Sequence, residues 1–300
     1  MTVNITGSGG FVGQNLIPYL AGKTFKIYNV SRKQLKSADI ELTKSSAIVH
    51  LAGKAHDLKK VSQPDEYYQV NFELTKRLYD AFLKSEARKF IFISSVKAAA
   101  DSVEGILTEN ISPNPQTYYG KSKLMAEEYI QSRPLSEGKS FYILRPCMIH
   151  GPGNKGNLNL LYQLVAKGIP YPLAAFDNQR SFLSVENLCF IIKQLIERND
   201  IPSGIYNAAD DEPLSTNQLV SLLSKALNKS PRLLRVPSSL ISFAARMGDL
   251  LKLPLNTERL GKLTENYVVS NQKIKLALGQ ELPLSAREGI SKTARAFSKG

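Results

Sequence analysis

The stretch TVNITGSGGFVGQNL, residues 2–16, decides the fold. Its first five residues form a short apolar and β-branched run that predicts a strand, and its last residues begin an amphipathic helix. Glycines spaced three residues apart allow a tight turn and a close approach of the backbone to a pyrophosphate, which a helix N-terminus attracts. The strand–turn–helix context therefore predicts dinucleotide binding, with these expected contacts: Gly7, Gly10, Phe11, Val12 and Gly13.

The end of the second predicted strand, FKIYNV at 25–30, indicates which dinucleotide is bound. An acidic residue at this position binds the ribose hydroxyls of NAD, whereas an arginine accommodates the 2′-phosphate of NADP. Here Ser31 and Arg32 follow the strand, with a lysine next and no carboxylate. The sequence favours NADP; NAD is the alternative if these cations belong only to a solvated turn.

The following segments predict the rest of a parallel sheet. KQLKSADIELTK, residues 33–44, leaves room for only a shortened helix and strand before the strand in SAIVHLAGKAHD, residues 46–57. The apolar run in RKFIFISSVKAAA, residues 88–100, is typical of a strand buried on both faces, and it ends at Ser94 and Ser95. Ligands of α/β proteins bind at this carboxyl edge of the sheet.

TYYGKSK, residues 117–123, places two tyrosines before two lysines. Helical side chains four positions apart lie on one face, which pairs Tyr119 with Lys123 and leaves Tyr118 off that axis. A nearby ammonium favours the phenolate and lowers the pKa of a buried tyrosine, so such a phenol can exchange a proton with a carbonyl. An isolated pair of this kind is usually surface packing. The preceding strand, which brings Ser95 to the same place, favours catalysis.

Composition and charge exclude several classes of protein. With 300 residues, 43% hydrophobic and 22% charged, the chain is typical of a globular protein. The net charge of +13 is spread evenly, because residues 201–300 hold 14 Lys and Arg against 8 Asp and Glu, leaving 25 against 18 before them. Without a basic tail or an RNA-binding motif, we expect no nucleic-acid partner. Anionic ligands or work beside a membrane explain the charge equally well.

The sequence also predicts where the protein works. MTVNITGSGG reads as a strand and a glycine turn, so we expect no signal peptide. SSLISFAARMGDLL contains Arg246 and Asp249 and is too short for a transmembrane segment. Cys147 and Cys189 lie in apolar runs and are expected to be buried free thiols, which fits a cytoplasmic location. No metal site is predicted.

A series of motifs follows in order along nearly the whole chain: TGSGGFVG, IVHLAG, VNFELTKRL, FIFISS, YGKSKLMAEE, LRPCMIHGPG, NKGNLNLLYQLVAKGIPYPL, NQRSFLSVENL, GIYNAADDEPLSTNQLV and LPLSAREGI. In these motifs the chain resembles the extended short-chain dehydrogenase/reductase family of nucleotide-sugar enzymes. The likeness is greatest to the UDP-N-acetylquinovosamine dehydrogenase and UDP-glucose 4-epimerase-like branch of polysaccharide synthesis.

The resemblance implies a catalytic triad of Ser95, Tyr119 and Lys123. In this interpretation Tyr119 is the acid/base, Lys123 holds the nicotinamide ribose and lowers the tyrosine pKa, and Ser95 hydrogen-bonds the reacting oxygen. Further cofactor contacts implied by the family are Leu51, Ala52, Asn71 and Pro146; implied substrate contacts are Lys54, His56, Asn157, Arg180 and Arg259.

Some positions depart from the family pattern. His150 replaces a usual tyrosine, RPCM lacks the asparagine with which many epimerases bind substrate, and Val96 and Lys97 stand where a dehydratase has an acidic pair. His50 and His150 are expected to be structural. Three functions stay open: an NADPH-dependent reductase of the C4 ketone of a UDP-4-keto-6-deoxy-hexose, with an N-acetyl sugar favoured; a UDP-hexose 4-epimerase with retained NAD; and a non-catalytic dinucleotide sensor.

The expected architecture is an α/β fold, a Rossmann-type doubly wound parallel sheet with a smaller α/β substrate-binding domain. Residues 1–150 and 181–210 are predicted to form the dinucleotide-binding domain, and residues 151–180 and 211–300 the nucleotide-sugar domain. The UDP-sugar is expected in the cleft between them. Helices at 65–86 and 118–133 are the expected surfaces of a homodimer.

Overall fold

The fold is seen in a computed structural model that describes residues 1–22, 24–37, 40, 42–54, 63–154, 156–251 and 256–298, without the side chain of Asn157. The strands within these residues are β1 Thr2–Thr6, β2 Lys26–Val30, β3 Ala47–His50, β4 Lys89–Ile93, β5 Ile106–Leu107, β6 Ser140–Pro146, β7 Met148–His150, β8 Phe182–Ser184, β9 Gly204–Ala208 and β10 Val268–Val269.

Helices connect these strands and complete the second half of the chain. They are α1 Phe11–Leu20, α2 Arg32–Lys36, α3 Pro64–Tyr67, α4 Leu74–Lys84, α5 Tyr118–Ser132, α6 Asn157–Ala166, α7 Val185–Glu197, α8 Thr216–Ala226, α9 Ser238–Leu251, α10 Thr257–Thr264, α11 Gln272–Leu278 and α12 Ala286–Phe297, with a π-helical segment Tyr68–Glu73 and a 3₁₀ turn Val96–Ala98.

A six-stranded parallel sheet in the order β2-β1-β3-β4-β6-β9 forms the centre of the protein. Alternate residues of a strand face opposite sides of the sheet. In β3, Val49 packs with residues of α1 and α7, whereas Ile48 packs with residues of α4 and α5. Helices therefore cover both faces, and the predicted Rossmann-type α/β class is confirmed.

The segment between β2 and β3 is short, as the sequence predicts. Among its described residues it contributes only the five-residue helix α2 and no strand. In the described part of the chain, β2 therefore forms the edge of the sheet, and its middle residues are partly exposed. This leaves the carboxyl end of β2 accessible.

A second hydrophobic cluster lies outside the sheet core. It joins α6, α8, α9, α10 and α12, and all but one of its buried residues come from 151–180 and 211–300, the exception being Phe182. The small sheet of β5 with β10 connects this part to the first half of the chain, and β8, which pairs with β7, contributes Phe182 to the cluster. The division into two domains stays a prediction that this cluster supports.

The described residues also bear on the cysteines, on membrane spans and on metal sites. Cys147 and Cys189 are buried free thiols. No helix within the described ranges has both the length and the apolar character needed to cross a bilayer. The same ranges contain no group of three or more His, Cys, Asp or Glu able to hold a metal ion.

Candidate active site

The glycine turn after β1 packs directly against the backbone that follows β3. Gly7 has a left-handed φ of +71°, and a Cβ added to it would lie 2.7 Å from the amide nitrogen of Ala52. A Cβ on Gly13 would lie 2.5 Å from the carbonyl oxygen of Gly7. Only glycine fits these two positions, so the predicted glycine turn has the tight geometry that a dinucleotide site requires.

Helix α1 begins at this turn with its N-terminus open to an anion. The N-cap residue is Gly10, which has no side chain to bond the first amides of the helix, and the first turn carries no acidic residue. The amide groups of Phe11 and Val12 in this turn belong to the donors that lack partners within a helix. This arrangement fits the pyrophosphate of a nicotinamide dinucleotide, and it brings the five residues of the predicted contact set together.

At the carboxyl end of β2, Ser31 serves as the N-cap of α2. Its hydroxyl and backbone amide both contact Oε1 of Gln34 at 2.8 Å, which completes a capping box. Arg32 and Lys33 follow in the first turn with exposed side chains. The serine is thus engaged in helix capping, whereas the two cations face solvent beside the edge strand. Arg32 is accordingly the more suitable of the two predicted cofactor contacts for a 2′-phosphate.

Ser95 and Tyr119, which the sequence predicts to act together, are hydrogen-bonded in the structure. Ser95 begins the 3₁₀ turn after β4, and its Oγ also accepts from the Lys97 amide at 3.2 Å. Burial raises the pKa of Tyr119, and the hydrogen bond with Ser95 partly opposes that increase. That Lys123 lowers the tyrosine pKa stays a prediction; in the structure the loss of hydration is the largest effect on the pKa of Tyr119.

Lys123 lies one helical turn after the half-buried Tyr119 and is itself buried. Its Nζ donates to the Ile93 carbonyl at 2.9 Å and stands 4.8 Å from the centre of the Phe92 ring. Burial lowers the pKa of Lys123 to about 8, while the charge of Glu127 opposes that decrease. A Cβ on Gly53 would lie 3.1 Å from this Nζ, so the glycine opens the backbone after β3 toward the ammonium.

Asn71 lies in the π-helical segment between α3 and α4 and is completely buried. Its Oδ1 accepts from the Lys54 amide at 2.7 Å, and its Nδ2 donates to the Lys54 carbonyl at 3.1 Å and to Ser122 Oγ at 3.0 Å. Asn71, predicted to contact the cofactor, thus clamps the segment after β3 to α5. π-helical turns are frequent at functional sites, and this one directs the amide inward.

His50 connects β1, β3 and α4 through a buried hydrogen-bond chain. Its Nδ1 lies 2.7 Å from Thr6 Oγ1 and its Nε2 lies 2.9 Å from Thr75 Oγ1. Because the Thr75 hydroxyl donates to the Asn71 carbonyl at 2.7 Å, it accepts from the ring, which assigns the proton to Nε2. Burial, aided by the charge of Lys123, lowers the pKa of His50 to about 3. The histidine is therefore neutral and structural, as expected.

Acidification is expected to destabilise the protein through His50. The unfolded chain protonates this residue near pH 6.5 and the folded chain only near pH 3, so its stabilising effect is present above pH 6.5 and is lost as pH falls. Urea titrations at pH 7.5 and 5.0 are expected to show the stability difference between wild type and His50→Gln narrowing by about 2 kcal/mol. A difference independent of pH would contradict this assignment.

A buried ion pair beside Lys123 was missed in the sequence. Arg145 on β6 donates through Nε to both carboxylate oxygens of Glu127 at 3.1 Å and through Nη2 to Oε2 at 2.5 Å. Ser94 donates to the same carboxylate, and neither charged side chain is exposed by more than 2%. The signal that could have revealed it is the position of Glu127, one turn after Lys123 on the face directed at the sheet.

Arg180, the predicted diphosphate ligand, lies before β8 beside other charged residues. Its guanidinium donates to the Lys262 carbonyl at 2.9 Å and pairs with Glu265 at 3.5 Å. The charge of Arg180 also acts on Lys97, whose pKa is lowered mainly by burial. Lys97 follows Ser95 by two residues and belongs to the 3₁₀ turn. Because its charge acts on Lys97, Arg180 lies near that turn. Lys97 is a half-buried cation of this region that was not predicted as a ligand from the sequence.

The other predicted ligands differ in how far the structure supports them. Lys54 pairs with Glu66, and its Nζ lies 5.7 Å from the centre of the Tyr67 ring, which in turn contacts the Tyr119 ring edge-on at 6.3 Å. Arg259 lies in the first turn of α10. Pro146 ends β6 and is buried, and Leu51 directly follows β3. His56 and the side chain of Asn157, the first residue of α6, lie outside the described residues.

A Rossmann-type sheet with an open glycine turn and a Ser–Tyr pair backed by a buried lysine defines an NAD(P)-dependent enzyme of the extended short-chain dehydrogenase/reductase class. Residues 3–209 match the NAD dependent epimerase/dehydratase family, so the chain belongs to that family. The resemblance predicted from the motifs is thereby confirmed, and the non-catalytic alternative is set aside.

Known relatives include both 4-epimerases and reductases of sugar nucleotides. A UDP-glucose 4-epimerase of Vibrio cholerae is 30% identical over 99% of this chain and 95% of its own length. The N-acetyl-alpha-D-glucosaminyl-diphospho-ditrans,octacis-undecaprenol 4-epimerase of Escherichia coli O157:H7 is 29% identical over 91% of this chain and 84% of its own length. The fold is shared with RMD from Pseudomonas aeruginosa complexed with NADPH, with a TM-score of 0.75, 21% identity and coverage of 99% and 98%.

Proposed function

We propose that the protein is an NADPH-dependent reductase of the C4 ketone of a UDP-4-keto-6-deoxy-hexose, with an N-acetyl sugar favoured. The observation that supports this direction is the carboxyl end of β2, where the exposed Arg32 and Lys33 follow Ser31 and no carboxylate is present. A cation at this position suits the 2′-phosphate of NADPH, the co-substrate of a reductase, whereas an epimerase retains NAD. Tyr119, whose pKa is raised by burial, is the phenol that would give its proton to the ketone oxygen.

Each residue of the site has a separate role in the proposed reduction. A nicotinamide dinucleotide held at the glycine turn would supply the hydride that the carbonyl carbon requires. Tyr119 would give its proton to the carbonyl oxygen, and Ser95 would donate a hydrogen bond to that oxygen. Lys123 carries a positive charge below its pKa of about 8 and stabilises the phenolate that Tyr119 leaves behind. Asn71 and Gly53 keep the backbone after β3 beside this ammonium.

The direct test is reduction of a UDP-4-keto-6-deoxy-N-acetylhexose, made in place by a 4,6-dehydratase, with NADPH consumption followed by absorbance. The product is expected to carry a hydroxyl at C4, and one NADPH is expected to disappear for each ketone reduced. The same preparation is tested with UDP-glucose and UDP-N-acetylglucosamine without added cofactor. Interconversion of the C4 epimers in that second assay, with no reduction in the first, would replace the reductase by the epimerase.

The UDP-hexose 4-epimerase is kept as the second candidate on one observation. The two full-length relatives described above are 4-epimerases, at 30% and 29% identity. A retained NAD would then return its hydride to the opposite face of the sugar. Denaturing the purified protein and identifying the released nucleotide separates the two functions, since a retained NAD indicates epimerase and the absence of a bound nucleotide indicates reductase.

Cofactor choice gives a prediction on Arg32. The exposed guanidinium at the end of β2 is expected to bind the 2′-phosphate, and a hydrogen bond to a charged group contributes about 1.5–3 kcal/mol. NADPH is therefore expected to bind at least ~10-fold more tightly than NADH, as measured by fluorescence titration. Ser31→Asp combined with Arg32→Ala is expected to reverse the preference.

A further titration makes that result specific to Arg32. Ser31→Ala removes the side-chain cap of α2 but leaves the charge, so its preference for NADPH is expected to persist. A wild-type protein that prefers NADH, or that purifies with NAD, would contradict the proposal and favour the epimerase.

The UDP-sugar partner and the residues Lys54, His56, Asn157, Arg180 and Arg259 belong to the same proposal. So do the cytoplasmic location and the homodimer.

A further inference from the structure

Helix α9 presents a row of large apolar side chains to solvent. The exposed fractions are 59% for Leu240, 64% for Phe243, 37% for Met247, 74% for Leu250 and 59% for Leu251. These five residues are called the α9 face. Monomeric proteins seldom expose a contiguous apolar surface of this kind unless it binds a protein or a membrane.

The α9 face is separate from the side of the helix that stabilises the fold. Ile241, Ala245 and Gly248 are the buried residues of α9, and the first two belong to the second hydrophobic cluster. At 3.6 residues per turn, the α9 face covers an arc of about 100° beside that buried side. Arg246 lies next to the outer edge of this arc. The helix is therefore anchored by one side and offers a second apolar side outward.

Positive charge accompanies this surface. Residues 231–263, which include α9 and most of α10, contain six Lys and Arg against two Asp and Glu, a net charge of +4. Leu233 and Leu234, 37% and 51% exposed, stand between Arg232 and Arg235 just before the helix. Leu263 of α10, which packs against α9, is 50% exposed. Apolar and basic residues thus lie close together in this stretch of the sequence.

We propose that the α9 face docks on an anionic lipid bilayer, with α9 lying in the plane of the interface. A helix with Leu and Phe on one side and Arg at its edge is typical of interfacial membrane binding, in which buried apolar area and attraction to anionic lipids add. The long Arg side chains reach the headgroups while the apolar face enters the acyl boundary. The surface is independent of the catalytic residues, so this inference does not depend on the proposed reaction.

Charge argues against a second copy of the chain as the occupant. In a two-fold dimer the same patch meets itself, which would bring two sets of four excess positive charges together. Like charges facing each other across an interface oppose association. An anionic bilayer supplies complementary charge and an apolar interior at once, and it therefore fits both properties of the surface.

Vesicle flotation of the full-length protein tests the proposal. Wild type is expected to float with vesicles of phosphatidylcholine and phosphatidylglycerol at low salt, and much less with phosphatidylcholine alone. Leu250→Ser is expected to weaken binding roughly tenfold or more, because the leucine can no longer enter the apolar layer. Leu276→Ser on α11 is the matched control, since Leu276 is 73% exposed but lies outside the α9 face. Its binding is expected to change by less than about twofold.

The charge contribution is tested separately on the same vesicles. Arg246→Gln is expected to weaken binding about fivefold and to reduce its salt dependence, whereas Arg295→Gln on α12 has little effect. Absence of wild-type binding, or equal losses in the Leu250 and Leu276 variants, would overturn the proposal. Analytical ultracentrifugation tests whether a second copy of the chain binds the α9 face instead. If wild type is a dimer that Leu250→Ser dissociates, and it does not bind vesicles, the face is a contact between copies.

Discussion

Tyr119→Phe is expected to lower turnover by about 10²–10⁴-fold, the usual contribution of a positioned acid or base. The phenolic oxygen hydrogen-bonds Ser95 and stands one helical turn before Lys123, so its removal takes away the proton that the ketone oxygen requires. The ring remains, and its contact with Tyr67 is kept. Binding of NADPH, measured by fluorescence titration, is therefore expected to change little while kcat falls.

Tyr118→Phe is the matched control for this result. Tyr118 is 53% exposed, in contrast to the half-buried Tyr119, although the two residues are adjacent and chemically identical. Turnover of the Tyr118 variant is expected to stay near the wild-type value. If the Tyr118 change proves crippling and the Tyr119 change mild, the assignment of the acid to Tyr119 is wrong.

Arg145→Met is expected to reduce the free energy of unfolding by about 3–5 kcal/mol, as found when one partner of a buried ion pair is removed. Glu127 would keep its buried carboxylate next to Ser94 but lose the guanidinium that binds both of its oxygens. Urea denaturation measures the loss. The double variant Arg145→Met with Glu127→Leu is expected to recover much of it, because no isolated charge is left inside.

A surface pair provides the comparison for that measurement. Lys44 and Glu86 form an ion pair at 2.7 Å with side chains 83% and 67% exposed. Lys44→Met is expected to cost less than about 1 kcal/mol, since water screens and solvates both charges. Equal losses of the free energy of unfolding for Lys44→Met and Arg145→Met would show that breaking the buried pair costs no more than breaking an exposed one.

Most of the sheet and the position of the Tyr–Lys pair could be predicted from local patterns. Apolar runs of four to seven residues mark β1, β3, β4 and β6, and the four-residue spacing selects Tyr119 with Lys123. Such signals depend on neighbouring residues only, and the structure retains them. The helix expected at 65–86 begins and ends near the predicted residues, because its apolar period holds on both sides of Asn71.

The remaining features depend on contacts that no local pattern contains. The π-helical turn at Tyr68–Glu73 directs Asn71 toward Lys54 and Ser122, which come from distant parts of the chain. Arg145 resembles a surface charge in the sequence, since charged residues are rarely buried without a partner. The raised pKa of Tyr119 likewise follows from burial, which is known only after the chain has folded.

The pairing of β5 with β10 bears on the order in which the site is completed during synthesis. Leu107 pairs with Val269, and the Tyr267 hydroxyl donates to the Ala100 carbonyl at 2.7 Å, close to the turn that begins at Ser95. Contacts between residues so far apart in sequence pay a large loop-closure entropy and form slowly. On the ribosome, the sheet strands through β9 emerge before residues 267–269. The turn carrying Ser95 therefore gains its last support only near the end of translation, after the nucleotide-binding core has had time to fold.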